Sequence, residues 1–533
     1  MPMRTVTPRR SLAAFVLLLA TLFVTTAAGS AMAATYADPI AAWDKAGLRQ
    51  TPPTPVQTVS VRDYGAVGDG VRDDTTAFQR ALAALASPGI LSIPQGSYRI
   101  TASLEMTSGK VLRGEGSSTS KLIFNLNGSS DPCIDFTTYN SKSWSNLSQS
   151  AVAGASSITV ASATNFKVGD MVEIEQQNDP ATMYTDPEWN QDWAQSVVGQ
   201  FVKVTAKSGS TLTLDRPLRT DFKTALTARA RVYSLGHDVG IEDLNLTRED
   251  SGGAVGGDII HFKYALNCWV RRVESTWTVG SHIYAESSAS IEVSDSTFKY
   301  SHDYGDGGRG YGVSLGRHVS DCLIQNNVFD TLRHAMVVSQ GANGNVYAYN
   351  YSGKTVCEST EWTACDISVH GHYPFRNLFE GNIVQEIDIT DYWGPAGPGN
   401  VLLRNIVEQE GIEIMDASHG QIVLGNVILA GGPLTVASGI TGTVLDGNAI
   451  LPALAADADN CPVTDVPASL YLADAPTFYC SCTWPMLADG QLVNPAAQRA
   501  LGIPTLPTPT PTPTPTPAGV AGTLAAINGL LLP

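Results

Sequence analysis

The chain has 533 residues, 43% of them hydrophobic, and a formal net charge of −17. That length and apolar content allow a large buried core. The negative balance argues against nucleic acid and anionic membrane as partners, and against a polyanionic sugar unless the binding groove is locally basic or uses calcium.

Arg4, Arg9 and Arg10 precede an apolar run from Leu12 to Val24 and the small-residue series Ala31-Met32-Ala33. This pattern predicts an export signal over residues 1–33, and hence a secreted or extracellular protein. The eight cysteines suit an oxidising compartment. Cys357 and Cys365 flank a short excursion and are expected to bond, as is Cys461 with Cys480 or Cys482. Cys268 and Cys322 fall two coils apart, too far for a direct bond.

Residues 34–57 read as an extended, Pro- and Thr-rich lead-in. Asp73-Asp74-Thr75-Thr76 ahead of Phe78 and Leu82 predicts a short capped helix that closes the start of the main domain, within residues 58–90. The Asp73-Asp74 pair is read as capping rather than as a catalytic dyad. Residues 155–220 break into short alternating strands such as Met171-Val172-Glu173-Ile174 and Phe201-Val202-Lys203-Val204, read as an inserted antiparallel β subdomain. Between its strands the aromatic and acidic segment from Tyr184 to Trp193 is placed to overhang a groove.

From Val239 onward a repeat sets in. Asn327-Val328-Phe329, Asn382-Ile383-Val384, Asn405-Ile406-Val407, Asn426-Val427-Ile428 and Asn448-Ala449-Ile450 repeat one asparagine followed by apolar residues, and the last four asparagines lie 23, 21 and 22 residues apart. A period in the twenties predicts a coil of stacked strands with the asparagine amides bonded along the stack. Residues 455–503 read as a C-terminal cover. Residues 504–533 read as a Thr-Pro spacer and a short apolar tail, too short to span a bilayer but a possible means of attachment to the cell surface.

The segment Val61-Arg62-Asp63-Tyr64-Gly65-Ala66-Val67-Gly68-Asp69-Gly70, continuing through Asp73-Asp74-Thr75-Thr76-Ala77-Phe78-Gln79 to Ile93-Pro94-Gln95-Gly96-Ser97-Tyr98, resembles the N-terminal signature of the pectate-lyase-like superfamily, in the branch related to polygalacturonases and rhamnogalacturonases. The resemblance implies an all-β protein: a right-handed parallel β-helix with an N-terminal capping helix and the inserted antiparallel subdomain for 58–503, acting on a polysaccharide. It fixes no reaction, since such folds host hydrolases, lyases, epimerases and adhesins. Polygalacturonases carry an Arg-Ile-Lys and an Asp-Asp on successive coils. Here the first is missing and the second occurs only in the cap, so their catalytic residues are not carried over.

Strand alternation identifies the outward residues. Inward pairs Ile367/Val369, Ile387/Ile389 and Ile412/Ile414 leave Asp366, Ser368, His370, Glu386, Asp388 and Glu413 facing out on three successive coils, followed by Asp391 and Asp416. Asp388 and Glu413 are expected one layer apart, about 5 Å between backbones. Carboxyls so close repel, so one holds its proton to higher pH and can act as an acid. Retaining glycosidases need about 5–5.5 Å between carboxyls and inverting ones about 6.5–9.5 Å. The candidate catalytic residues are therefore Asp366, His370, Asp388, Asp391 and Glu413. Arg333, His334, Tyr373, Tyr392, Trp393 and Arg404 are candidate substrate contacts. No cofactor is required, with calcium at Asp388, Glu413 and Asp416 as the competing role for the acids. A glycoside hydrolase is the first reading. The alternatives are a uronate lyase in which His370 or Tyr373 takes the proton and calcium or Arg333 neutralises the uronate, and a non-catalytic glycan-binding surface protein.

Overall fold

The computed structural model describes residues 38–184, 186–251, 256–305, 307–359, 363–389, 393–451, 466–479, 484–485 and 494–502. The expected signal, Thr-Pro spacer and apolar tail, with Asp391, Tyr392, Cys461, Cys480 and Cys482, lie outside these. No helix among the described residues is long and apolar enough to cross a membrane.

Each winding of the chain contributes strands to two large stacked sheets, one of 12 strands and one of 20, and the pairing runs parallel from coil to coil. The result is a right-handed parallel β-helix. Its interior is filled by the inward residues of every rung. Val313, Met336, Ile367, Ile387, Ile412 and Leu434 form one register line, and Leu315, Val338, Val369, Ile389, Ile414 and Val436 the next. All except the last-coil pair Leu434 and Val436 are buried. Each buried aliphatic side chain contributes roughly 1.5–3 kcal/mol of hydrophobic stabilisation.

The asparagine stack is continuous. Asn327, Asn350, Asn382, Asn405 and Asn426 each donate a side-chain amide hydrogen to the next carboxamide oxygen at 2.9–3.1 Å, the last of them to Asn448. Asn350 supplies the rung that the expected list of five had passed over. A second stack, Asn345, Asn377, Asn400 and Gln421, runs at another corner. Buried amides at a turn must find partners, and identical side chains one layer apart supply them in both directions.

The helix Thr75–Ala84 closes the first coil by burying Phe78, Ala81 and Leu82, with Phe78 edge-on to Tyr98 at 5.4 Å. Asp73 accepts from the Thr75 amide and hydroxyl at its start, while Asp74 turns back to the amides of Val67 and Gly68. The cap therefore accounts for both acids.

The insertion is a six-stranded antiparallel sheet running from Ser145 to Val232, wider than 155–220, because Ser145–Asn146 pairs with Arg229–Val232 at one edge. It is pinned to the coil by buried charge. The sealed Arg219 guanidinium pairs with Asp321, donates to Asn343 at 3.0 Å and reaches the Ala41 carbonyl at 2.9 Å. His318 meets Glu173 at 2.8 Å, and Glu173 also pairs with Arg231. The two backbones press together at Gly341, which has a φ of +71° and where a Cβ would lie 1.7 Å from the Val197 carbonyl oxygen.

Cys357 and Cys365 are free thiols, contrary to the expected bond, and Cys133, Cys268 and Cys322 are free and buried. The Cys365 sulfur lies 3.4 Å from His334 Nδ1 instead.

Candidate active site

The strands His334–Ser339, Ile367–His370, Ile383–Ile389 and Ile406–Ile414 lie side by side, with Val337, Ser368, Asp388 and Glu413 in one register line. Glu386 has the parity of Asp388 and faces the same way, opposite Gly411. Three acids thus share a face on two adjacent rungs.

Their surroundings differ. Asp388 is 5% exposed and its Oδ1 has no hydrogen-bond partner. Burial, reinforced by the Glu413 charge and opposed by a hydrogen bond from the Cys365 thiol, pushes its carboxyl up to about 7. Glu386 is pushed higher, to about 9, by burial and then by Asp388, Glu410, Asp366 and Glu413. Glu413 is partly open to solvent. A carboxyl that keeps its proton near neutrality beside a better hydrated one is the acid–base pairing that glycosidic cleavage uses.

Asp366 departs from the expected outward position. It is fully buried, and its oxygens accept from the Ser352 hydroxyl and from the amides of Gln385 and Glu386. The ladder slips between Val384 and Glu386, and the carboxyl satisfies the amides freed at that bulge. Its place is structural, and burial pushes it up to about 7.

His370 is half-buried one step along from Ser368, with its ring 6.0 Å from that of His334 and 6.3 Å from that of Tyr311. Burial, followed by the Arg333 charge, pulls it down to about 3, so it is neutral. Arg333 and His334 are 1% and 2% exposed and lie beneath this surface, contrary to the expected substrate contacts. Arg333 reaches the Tyr311 hydroxyl at 3.2 Å and His334 Nε2 at 3.3 Å, while His334 Nδ1 contacts the Cys365 carbonyl at 2.9 Å. They support this face from beneath.

Arg404 is also committed elsewhere. It is buried and donates to the carbonyls of Pro467 and Val466, fastening the C-terminal cover. Tyr373 packs against Met183, Ala194, Val197 and Val198 of the insertion. Asp416 sits in a left-handed turn after its strand, with a φ of 51°. Among the described residues, Asp388, Glu413 and Asp416 do not bring donor atoms close enough to share a cation. The group that does, Glu173, Glu175 and His318, is already matched by Arg229, Arg231 and Arg317 where the insertion docks.

Trp393 is seated on Gly371, where a Cβ would come within 2.5 Å of its own Cβ. The insertion reaches the same corner. Trp193 meets His372 at 4.5 Å and Trp393 at 5.4 Å between ring centroids, and Trp189 covers Gly394. The overhang expected from residues Tyr184 to Trp193 is thus in contact with the coil. Its partner His372 was not among the candidates, and neither were Tyr311 and Cys365. Nothing in their spacing sets them apart.

A family model described as "Rhamnogalacturonase A/epimerase, pectate lyase-like" matches residues 58–257. Over that part the chain is similar to the pectate-lyase-like superfamily, and the stacked coils give it the matching parallel β-helix fold. The tailspike gp61 of Pseudomonas phage phi297 is similar over 74% of this chain and 75% of its own, at 13% identity and a TM-score of 0.54. The tailspike gp49 of Pseudomonas phage LKA1 is similar over 74% and 84%, at 17% identity and a TM-score of 0.46. A stretch of 58 residues is 43% identical to the pre-neck appendage protein of Bacillus phage B103, covering 11% of this chain and 6% of that protein. The structural likeness extends to the fold.

Proposed function

We propose that the protein is a secreted glycoside hydrolase that cleaves a polysaccharide lying across the Asp388–Glu413 rungs. The observation that carries this reading is the buried carboxyl of Asp388, whose Oδ1 has no hydrogen-bond partner, beside the more open Glu413. Asp388, protonated near neutrality, gives its proton to the leaving glycosidic oxygen. Glu413 supplies the carboxylate, either as nucleophile or as the base that activates water. Glu386 lies two residues before Asp388 on the same strand, and burial with the Asp388 charge beside it keeps its own carboxyl protonated near neutrality. The superfamily match and the export-type leader support a role on extracellular glycan.

The neutral, half-buried His370 favours one other reading. In it, His370 takes the proton alpha to a uronate carboxyl, the glycosidic oxygen at the β carbon leaves and takes up a proton, and a double bond forms in the uronate left behind. Product analysis over plant, algal and bacterial glycans separates the two. Reducing ends without the ultraviolet absorbance of an unsaturated sugar are the hydrolase outcome, and that absorbance is the lyase outcome. Full-length protein that binds glycans but releases no product from any of them would overturn both.

A further inference from the structure

The coils that carry the acids are nearly free of compensating positive charge. From residue 377 to residue 498 the sequence contains one Lys or Arg, Arg404, and from 180 to 202 it contains none. Arg404 is 5% exposed and spends its guanidinium on the carbonyls of Val466 and Pro467. Arg333, beneath the groove, is 1% exposed. Against this stand Glu408, Glu410 and Glu413 on the rung beside Asp388, and Asp186, Glu188 and Asp192 on the arm of the insertion. A polyuronate entering here would meet like charge in a partly desolvated groove, where repulsion is strongest.

The same region offers a contact suited to an uncharged ring. Trp193 is 51% exposed although it touches both His372 and Trp393, so part of its indole stays open to a ligand at this corner. His372 is 3% exposed, and neither of its ring nitrogens has a hydrogen-bond partner. Buried polar atoms left without partners are rare, and a neutral imidazole offers one donor and one acceptor, the pair that a sugar hydroxyl can complete. Burial also pulls His372 down to about 4, which keeps it neutral at working pH. A partly open indole next to a partner-free imidazole provides ring stacking and hydroxyl recognition at one point.

We infer that the groove takes an uncharged glycan, one sugar of which stacks on Trp193 beside Trp393 while His372 bonds a hydroxyl. The inserted subdomain is then part of the substrate site. This rests on the reading of the Asp388–Glu413 face as the substrate groove, but it concerns binding and is tested without turnover.

The test uses full-length protein carrying Asp388→Asn, so that no substrate is consumed, in native gels cast with soluble neutral glycans (dextran, mixed-linkage β-glucan, galactomannan) or with polygalacturonate, the latter with calcium and with EDTA. The expected result is retardation in at least one neutral gel and none in polygalacturonate under either condition. Adding Trp193→Ala, at an exposed site that leaves the fold intact, weakens the retardation about ten-fold. His372→Phe, which keeps the ring and removes the nitrogens, does the same, and Trp193→Phe restores part of the loss. Retardation in polygalacturonate, absence of retardation in every neutral gel, or unchanged mobility in both the Trp193→Ala and His372→Phe forms overturns the inference. If retardation behaves as expected while the unsubstituted protein cleaves nothing, the hydrolase reading fails and this one stands.

Discussion

Asp388 and Glu413 are direct partners across a parallel ladder, yet the first is 5% exposed while the second is partly open to solvent. One rung of separation keeps them about 4.8 Å apart along the stack, whatever their side chains do. The difference in hydration is what can divide an acid role from a carboxylate role.

Replacing Asp388 by Asn removes the transferable proton and changes the volume little. Turnover on an active glycan is expected to fall about 10²- to 10⁴-fold, the usual worth of a positioned general acid. Circular dichroism should be unchanged and thermal stability equal or higher. In the unsubstituted protein, the rate is expected to fall as pH rises through about 7, where Asp388 loses its proton. An undiminished rate in the variant would remove Asp388 from the mechanism.

Stability should depend on pH in a particular sense. Asp366, Glu380 and Asp388 are raised to about 7 and Glu386 to about 9, from ordinary values of 3.8 for Asp and 4.5 for Glu. Between each ordinary value and the raised one, the folded chain holds a proton that the unfolded chain has released. Folding stability therefore falls as pH rises across that window. Above about pH 7 the remaining fall from this set belongs to Glu386, so Glu386→Gln should flatten the profile between about pH 7 and 9. Urea denaturation at several pH values reads this directly, and a profile of the same slope in both proteins would contradict it.

Asp366→Ala tests the structural role given to that residue. The change strips the acceptor from the Ser352 hydroxyl and from two backbone amides, and should cost about 2–5 kcal/mol of stability. At a temperature where the variant is folded, turnover per molecule should be close to normal. A stable but inactive variant would return Asp366 to the chemistry.

Asn405→Ala interrupts the amide stack in its middle. It removes the acceptor for the Asn382 amide and side chain, and the donor to Asn426 and to the Phe379 carbonyl. A loss of roughly 3 kcal/mol is expected, exceeding that of Asn448→Ala in the last, more exposed rung. Equal losses would mean that the stack does not act as a continuous chain.

Chelation offers a fifth comparison. Because the donors of Asp388, Glu413 and Asp416 do not converge, EDTA is expected to leave the hydrolytic rate unchanged. A strict calcium requirement would favour the elimination reading.

The coil and its register were legible in the sequence because both depend on short-range periodicity. The alternation of Ile387/Ile389 and Ile412/Ile414 dictates which neighbours face outward, and the recurring asparagine marks where each rung begins. Asp366 misled because parity holds only along a regular strand. It sits at a bend facing a bulge, where outward alternation gives way to the need of two amides. Arg404 and Arg333 misled for a related reason, since nearness in register does not say whether a guanidinium faces solvent or a buried carbonyl. The corner of Trp193 and His372 joins two remote segments, and only the docking of the insertion brings them together.

That docking has a consequence for how such a molecule can diversify. With Arg219, His318 and Gly341 clamping the inserted sheet to the coil, the arm bearing Trp193 is held against His372 and Trp393 without sharing any strand with the acids. Changes confined to the arm can then retune which sugar is gripped, while the reacting carboxyls and their supporting coils stay as they are.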